Sequence, residues 1–152
     1  DGLAQGGARV LLLARSVGEP GNDTGPGELA PAALVVINQT LRSDAAETGG
    51  RYSISEWWLE PRTSGVGTHS HDDDHIFYVL AGTLSLLING EPAEAPRGSC
   101  VLIPSGDEHA FDNRGPMPCG FITVHAPAGS EQKMPDIVAC FVNDPPHDVG
   151  GP

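Results

Sequence analysis

Apolar residues occur in short alternating runs separated by glycine and proline, a pattern that predicts strands joined by turns rather than long helices. The 20 glycines and 14 prolines divide the chain into segments of strand length. Eight strands are predicted, at residues 9–14, 34–38, 52–59, 75–80, 83–88, 100–103, 108–112 and 119–125. The pattern therefore predicts an all-β domain.

Three segments stand apart from these strands. Asn89-Gly90 predicts a tight hairpin turn, because both residues tolerate a positive φ. Residues 17–32 are rich in glycine, proline and polar side chains without a period, which predicts a surface loop or an arm that docks elsewhere. Residues 135–142 fit either a short helix, with Ile137 and Phe141 on one face, or one more strand.

The chain is strongly acidic, with 20 acidic and 8 basic residues and a formal charge of −12. Such a chain repels phosphate backbones and anionic headgroups, so neither nucleic acid nor a membrane is an expected partner. No apolar run approaches the roughly 18 residues of a membrane span, and no signal-peptide pattern is visible. Three cysteines argue against a closed disulfide framework, although one disulfide remains open. We expect a cytoplasmic protein with one domain, as its 152 residues indicate.

Four histidines, His69, His71, His75 and His109, lie at spacings typical of one metal site. His69 and His71 are two residues apart, so on a strand they project to the same side. The turn at 104–107 can bring His109 back beside this first pair, so that the four imidazoles converge. A single histidine is usually satisfied by a hydrogen bond, but four imidazoles in this arrangement favour a transition metal. We predict that these four residues bind one divalent ion.

Two stretches of the chain resemble the motifs of the cupins. Residues 68–75 (Thr-His-Ser-His-Asp-Asp-Asp-His), followed by Gly82, look like the first motif, and residues 98–113 match the second, Gly-x5-Pro-x-Gly-x2-His-x3-Asn, at every defined position. The resemblance implies a small jelly-roll barrel, or double-stranded β-helix, with the metal inside its mouth. It also implies a homodimer and a small organic molecule as partner.

The same resemblance divides the single domain at 1–152 into three parts. The barrel core is expected at about 50–127, N-terminal strands and a loop arm at 1–49, and a C-terminal segment at 128–152.

Two positions depart from the cupin pattern. Thr63 stands where a glycine is expected, with Gly65 and Gly67 nearby, which predicts a rebuilt approach loop. His75 stands where the family has a glutamate ligand. Four neutral imidazoles leave a divalent ion (iron, manganese, nickel, zinc or copper) at a charge of about +2, which makes it a stronger Lewis acid. Any catalytic base must then come from elsewhere.

Strand alternation predicts which apolar residues surround the ion. Phe77, Val79 and Phe111 share faces with the histidines of their strands, which predicts a largely apolar substrate pocket. Of the adjacent Trp57 and Trp58, one faces inward, and Trp58 is the candidate for the pocket.

Two residues are candidate bases, His125 at the end of the last strand and Glu56. A rim histidine bonded to the backbone is the alternative interpretation of His125. The run at 72–74, three aspartates, is interpreted as a solvated acidic turn, with orientation of the histidine rings as the alternative.

The leading functional hypothesis is a metal-dependent enzyme that performs an oxygenase-like reaction on an apolar organic substrate. A non-redox isomerase, cyclase or lyase is the first alternative, in which the ion acts as a Lewis acid and an outer residue moves the proton. A non-catalytic module that binds a metal or a small ligand is the second. The fold does not choose among these functions.

Overall fold

The computed structural model describes residues 9–15, 34–143 and 145–149. Within these residues ten strands are present: β1 (Arg9–Arg15), β2 (Leu34–Ser43), β3 (Ser53–Leu59), β4 (Thr63–Ser64), β5 (Asp74–Ala81), β6 (Thr83–Ile88), β7 (Glu91–Pro96), β8 (Cys100–Ile103), β9 (His109–Asn113) and β10 (Cys119–Ala126). Helix α1 spans Ala45–Thr48, a 3-10 helix spans Ser130–Lys133, and helix α2 spans Met134–Asn143.

The strands form two antiparallel sheets whose inner faces enclose the core. One sheet has the order β1-β2-β3-β10-β5-β8, and the other has the order β4-β9-β6-β7. Aromatic rings fill the centre, with Phe111 and Phe121 5.4 Å apart and Trp57 stacked on Phe121 at 6.3 Å. This arrangement is a jelly-roll β fold, which confirms the predicted fold class.

All eight predicted strands are present, with bounds that differ mostly by one or two residues. The alternation signal is strongest where one face is buried, as in β5, where burial alternates along much of the strand. The open question at 135–142 is resolved as a helix, because α2 covers that segment. The predicted loop at 17–32 lies outside the described residues.

Strand β7 was not predicted, and its prolines, Pro92 and Pro96, are disfavoured in the interior of a sheet. It forms an edge of the four-stranded sheet. Arg97 N donates to Gly82 O at 2.9 Å, which continues the register of the β6–β7 pair. Hydrogen-bonded residues alternate along an antiparallel strand, so the odd-numbered residues of β7 direct their N–H and C=O groups towards β6. Both prolines therefore face the free edge, where the missing N–H interrupts no ladder.

The hairpin turn predicted at Asn89-Gly90 connects β6 to β7. Both residues have positive φ, 50° and 83°. Asn89 also fixes the approach to β9, because its N–H donates to Glu108 O at 2.8 Å and its side-chain oxygen accepts from Glu108 N at 3.1 Å. The turn thus helps to place the histidine that begins β9.

Candidate metal centre

Backbone hydrogen bonds join the two histidine segments at the mouth of the barrel. His69 N donates to His109 O at 3.0 Å, and His109 N donates to His69 O at 2.8 Å, which makes an isolated antiparallel bridge. Gly106 N donates to His71 O at 2.9 Å. The turn before β9 therefore brings the distant histidine beside the first pair.

The glycine expected at position 63 is needed two residues later. A Cβ on Gly65 would lie 2.2 Å from the backbone oxygen of Phe111, a distance that real structures do not tolerate. Thr63 itself is buried in β4 and pairs with Asn113. The close approach of the two backbones thus requires glycine at 65 rather than at 63.

The rings of His69 and His109 are held by backbone carbonyls. His69 Nδ1 lies 2.7 Å from Gly67 O, and His109 Nδ1 lies 3.1 Å from Asp107 O. A carbonyl oxygen only accepts, so each Nδ1 carries the proton and each Nε2 keeps a lone pair. A lone pair on Nε2 is the donor that a transition metal needs.

Two buried nitrogen atoms, His71 Nε2 and His75 Nε2, have no hydrogen-bond partner among the described residues. A buried polar atom without a partner is costly, and a bound cation is one way to satisfy it. His75 Nδ1 lies 3.1 Å from His109 Nε2, so His75 donates to His109 in the metal-free protein, a bond that His109 would give up to bind an ion, and the lone pair of His75 is on its unpartnered Nε2. The residues therefore fit a divalent transition metal.

The clustered histidines form two overlapping groups of three. Ligand atoms lie within 4.8 Å of one another in the group of His69, His71 and His109, and again in the group of His71, His75 and His125. His71 belongs to both groups. The described residues thus bring together the four predicted ligands and add His125, whose ring stacks on that of His75 at 3.9 Å.

Asp73 is the site residue that sequence reasoning interpreted as part of a solvated turn. It is buried, and its carboxylate oxygens lie 3.0 Å from His71 Nδ1 and 2.5 Å from His125 Nδ1. Asp72 and Asp74 are exposed, so the predicted solvated turn holds for them. The ring-orienting alternative describes Asp73.

Burial lowers the pKa of most histidines in this cluster. The pKa of His75 lies well below its ordinary value, first because desolvation disfavours the charged ring and then because neighbouring imidazoles repel a proton. Desolvation lowers the pKa of His109 to about 4, and it also lowers the pKa of His69 and of His125. Neutral rings are the form that binds a metal.

We expect the metal-free protein to lose stability as the pH falls below about 6.5. The pKa of His109 is about 4 in the folded chain and 6.5 ordinarily, so the unfolded chain takes up the proton first. The free energy of unfolding therefore decreases as the pH falls from 6.5 to about 4, and below about 4 the stability that the neutral His109 ring contributes is lost. Urea unfolding of chelator-treated protein at several pH values between about 4 and 6.5 measures this decrease.

His75→Gln should flatten this pH profile, because it removes a neutral buried ring that also resists protonation. His147→Gln, in an exposed residue outside the cluster, should leave the slope unchanged. A wild-type profile that is flat over the window would contradict the expectation.

A cavity of about 330 Å³ opens beside the histidines. Helix α2 covers one side of it with Met134, Ile137 and Phe141. Its other apolar walls include Trp57, Val66 and Phe111, and its polar groups include Gln39, Ser55 and Thr123. The cavity is thus suited to an organic molecule with an apolar body.

The predicted pocket residues on β5 and β9 take different positions. Phe111 lines the cavity. Phe77 is fully buried directly against the ring of His75, at 4.1 Å, and Val79 lies two residues further along β5 in the core. Neither lines the cavity, because the histidine and the aromatic core separate them from it.

Trp58 and Glu56 lie on the outer face of the six-stranded sheet, which corrects both predictions. Trp58 is 39% exposed, and Trp57 is the tryptophan that lines the cavity. Glu56 accepts hydrogen bonds from Trp58 Nε1 and Arg42, each at 2.7 Å. These two bonds hold the pKa of Glu56 below its ordinary value, so a proton acceptor in the cavity must be sought elsewhere.

A family model described as a cupin domain matches residues 55–125, a range that includes all five clustered histidines. These residues form a cupin domain. Solved structures with the same fold agree with this. The EutQ protein of Clostridium difficile has a TM-score of 0.51 and 26% identity over 62% of this cupin and 70% of that chain. The polyketide cyclase RemF of Streptomyces resistomycificus has a TM-score of 0.52 and 25% identity over 59% and 64%.

A curated relative of this cupin is mannose-1-phosphate guanylyltransferase ManC of Salmonella typhimurium, with 31% identity over 62% of this chain. The match covers 19% of that protein, so the cupin spans about a fifth of the length of the curated relatives it matches. Among the described residues, no helix has the length and apolar character to span a membrane.

Proposed function

We propose that this cupin is a metal-dependent enzyme acting on a small, largely apolar organic molecule. The observation that carries the proposal is the pair of buried, unpartnered Nε2 atoms of His71 and His75 next to an apolar cavity. His69 and His109 would complete the ligand set with His71 and His75. An ion held there supplies a Lewis acid that polarises a carbonyl or enolate oxygen.

A non-redox proton transfer, as in an isomerase, cyclase or lyase, is the reaction class that the site supports best. His125 lines the cavity, and its Nδ1 donates to Asp73, so its Nε2 keeps a lone pair that can take a proton from a bound substrate. Asp73 would stabilise the resulting imidazolium. The likeness to a polyketide cyclase at 25% identity agrees with this class but does not extend to its substrate.

An oxygenase-like reaction is the second candidate, and the all-histidine ligand set favours it. Four neutral donors stabilise the divalent over the trivalent state of an ion such as iron, and the apolar walls suit a substrate that reacts with dioxygen. The two classes differ in one requirement. Turnover without oxygen and with zinc supports proton transfer, whereas turnover that consumes oxygen and fails with zinc supports the oxygenase.

Elemental analysis of protein purified without added metal tests the shared part of both proposals. We expect about one transition-metal ion per chain in the wild type and a clear reduction in His75→Ala, because that variant loses one donor. A wild type without a stoichiometric metal, and a variant that behaves identically, would refute the proposed function.

The homodimer that the family resemblance implies would use the outer face of the six-stranded sheet. A row of Ile54, Val124, Ile76 and Leu102 crosses β3, β10, β5 and β8 in register. Leu102 is 58% exposed, and contiguous exposed apolar side chains mark interaction sites. Arg42 neutralises Glu56 on this face, which allows a second copy of a strongly acidic chain to approach.

We therefore expect the wild type to sediment as a dimer and Leu102→Asp as a monomer, because the change places an unpaired carboxylate inside the interface. Met117→Asp adds the same charge at an exposed methionine in the loop before β10 and should leave the dimer intact. A monomeric wild type, or a dimeric Leu102→Asp, would exclude this interface. Analytical ultracentrifugation decides between these results.

A further inference from the structure

The three consecutive aspartates at 72–74 have different environments, although their sequence context is the same. Asp72 is exposed, and Asp74 is exposed with its Oδ1 accepting from Ser105 N at 3.1 Å. Asp73 is only 8% exposed and points among the imidazoles. A buried carboxylate is unfavourable unless hydrogen bonds compensate for its lost hydration. Its partners therefore explain why it is buried.

Those partners are two histidines, His71 and His125. His125 Nδ1 lies 2.5 Å from the carboxylate Oδ2, whereas His71 Nδ1 is hydrogen-bonded to the backbone oxygen of Asp73 at 3.3 Å and lies 3.0 Å from Oδ1. A carbonyl or carboxylate oxygen only accepts, so both rings must donate from Nδ1. Each neutral ring is thereby fixed as the Nδ1–H tautomer, and each Nε2 keeps its lone pair.

We propose that Asp73 is the positioning residue of the metal centre: its carboxylate sets the tautomer and orientation of His125, its backbone carbonyl sets those of His71, and its negative charge lies beside both rings. The inference rests on the proposed function only in assigning the freed Nε2 atoms to an ion and to a substrate proton.

The other two rings fixed through Nδ1 show what is particular to Asp73. His69 and His109 are held by the backbone oxygens of Gly67 and Asp107, which any sequence would supply. His71 is held in the same way by the backbone oxygen of Asp73, so His125 is the ring that depends on a side chain, and the charge of that side chain also lies 3.0 Å from His71 Nδ1. A carboxylate partner also makes an imidazole a stronger donor to a metal than a carbonyl partner does. Asp73 thus links the ligand common to both histidine groups with the proposed proton acceptor.

Nitrogen-15 spectra of the histidine rings in metal-free wild-type protein test the tautomers directly. At about pH 8 imidazoles are neutral, and long-range proton–nitrogen correlations distinguish Nδ1–H from Nε2–H. We expect His71 and His125 as Nδ1–H tautomers. Either ring found as the Nε2–H tautomer overturns the proposal, and no variant is needed for this result.

Asp73→Asn then tests the consequence for the metal. The amide can present either its oxygen or its NH₂ group to His125, so the tautomer of that ring should redistribute, whereas His71 should keep its bond to the backbone oxygen and lose only the neighbouring charge. We expect the zinc affinity of the chelator-treated protein to fall about 10- to 100-fold, measured by competition with a chromophoric chelator. Asp72→Asn, the matched control with the same charge change at an exposed neighbour, should stay within about twofold of wild type. Asp73→Glu keeps a carboxylate and should recover part of the affinity.

Zinc affinity of a folded Asp73→Asn equal to that of wild type would overturn the proposal, as would an equal loss in Asp72→Asn. Wild-type protein that binds no metal but shows both Nδ1–H tautomers refutes the proposed function while supporting the role of Asp73 in setting the tautomers.

Discussion

His71→Ala is expected to abolish stoichiometric metal binding and with it any turnover. His71 is the one residue common to both groups of three histidines, so its removal leaves neither group complete. It also removes the hydrogen bond between His71 Nδ1 and the backbone oxygen of Asp73. We expect at least a 100-fold loss of zinc or nickel affinity, on the order of 3 kcal/mol, measured by calorimetry on chelator-treated protein.

His147→Ala is the matched control, because it removes an exposed histidine that contacts Ser64 rather than the cluster. Its metal affinity should equal that of wild type. Retention of one tightly bound ion in His71→Ala would show that the remaining histidines suffice, and it would contradict the shared-ligand arrangement.

Phe77→Ala is expected to destabilise the fold by about 3–5 kcal/mol, the usual cost of removing a fully buried aromatic ring. Phe77 is 0% exposed and contacts Phe111 at 5.9 Å and Phe121 at 5.7 Å. Its ring also supports that of His75, so the variant should bind metal more weakly even at a temperature where it remains folded. Urea unfolding and zinc competition measure the two effects.

Leu87→Ala provides the comparison for this stability measurement. Leu87 is 38% exposed on β6, so its truncation leaves no large cavity and should cost less than about 1 kcal/mol. Equal destabilisation by the two variants would mean that Phe77 does not support the core as its burial indicates.

The histidine cluster could be predicted because the residues that indicate it are close together in the sequence or follow a recognisable turn. Two-residue spacing places His69 and His71 on one side, and a recognisable turn precedes His109. The same period-two rule located strands such as β3 and β9, in which buried residues alternate with more exposed ones. What the spacing did not indicate is the participation of His125, which reaches the cluster because β10 pairs with β5 and sets His125 opposite His75.

The errors at Glu56 and Trp58 have one cause. These residues are two apart on β3, so they share a face, and a choice of the wrong face misplaces both. Alternation alone says that Trp57 and Trp58 point in opposite directions. Which of the two tryptophans faces the interior depends on tertiary packing, in which Trp57 contacts Phe111 and Phe121 inside the barrel.

Asp73 could not be distinguished from Asp72 and Asp74 by any local feature. Its burial depends on His125, which lies 52 residues away in sequence. An acidic run usually faces water, and two of its three members do so here. Only the folded arrangement of the histidines identifies the third.

The prolines of β7 affect how copies of this chain can associate. At the free edge of a sheet, unpaired N–H groups invite strand addition by another molecule. Three residues of β7 turn their backbone to that edge, and Pro92 and Pro96 have no N–H to offer, which leaves Glu94 as the single donor among them. A β-addition ladder cannot grow from this edge, so it is protected against the fibre-like aggregation to which exposed edge strands are prone.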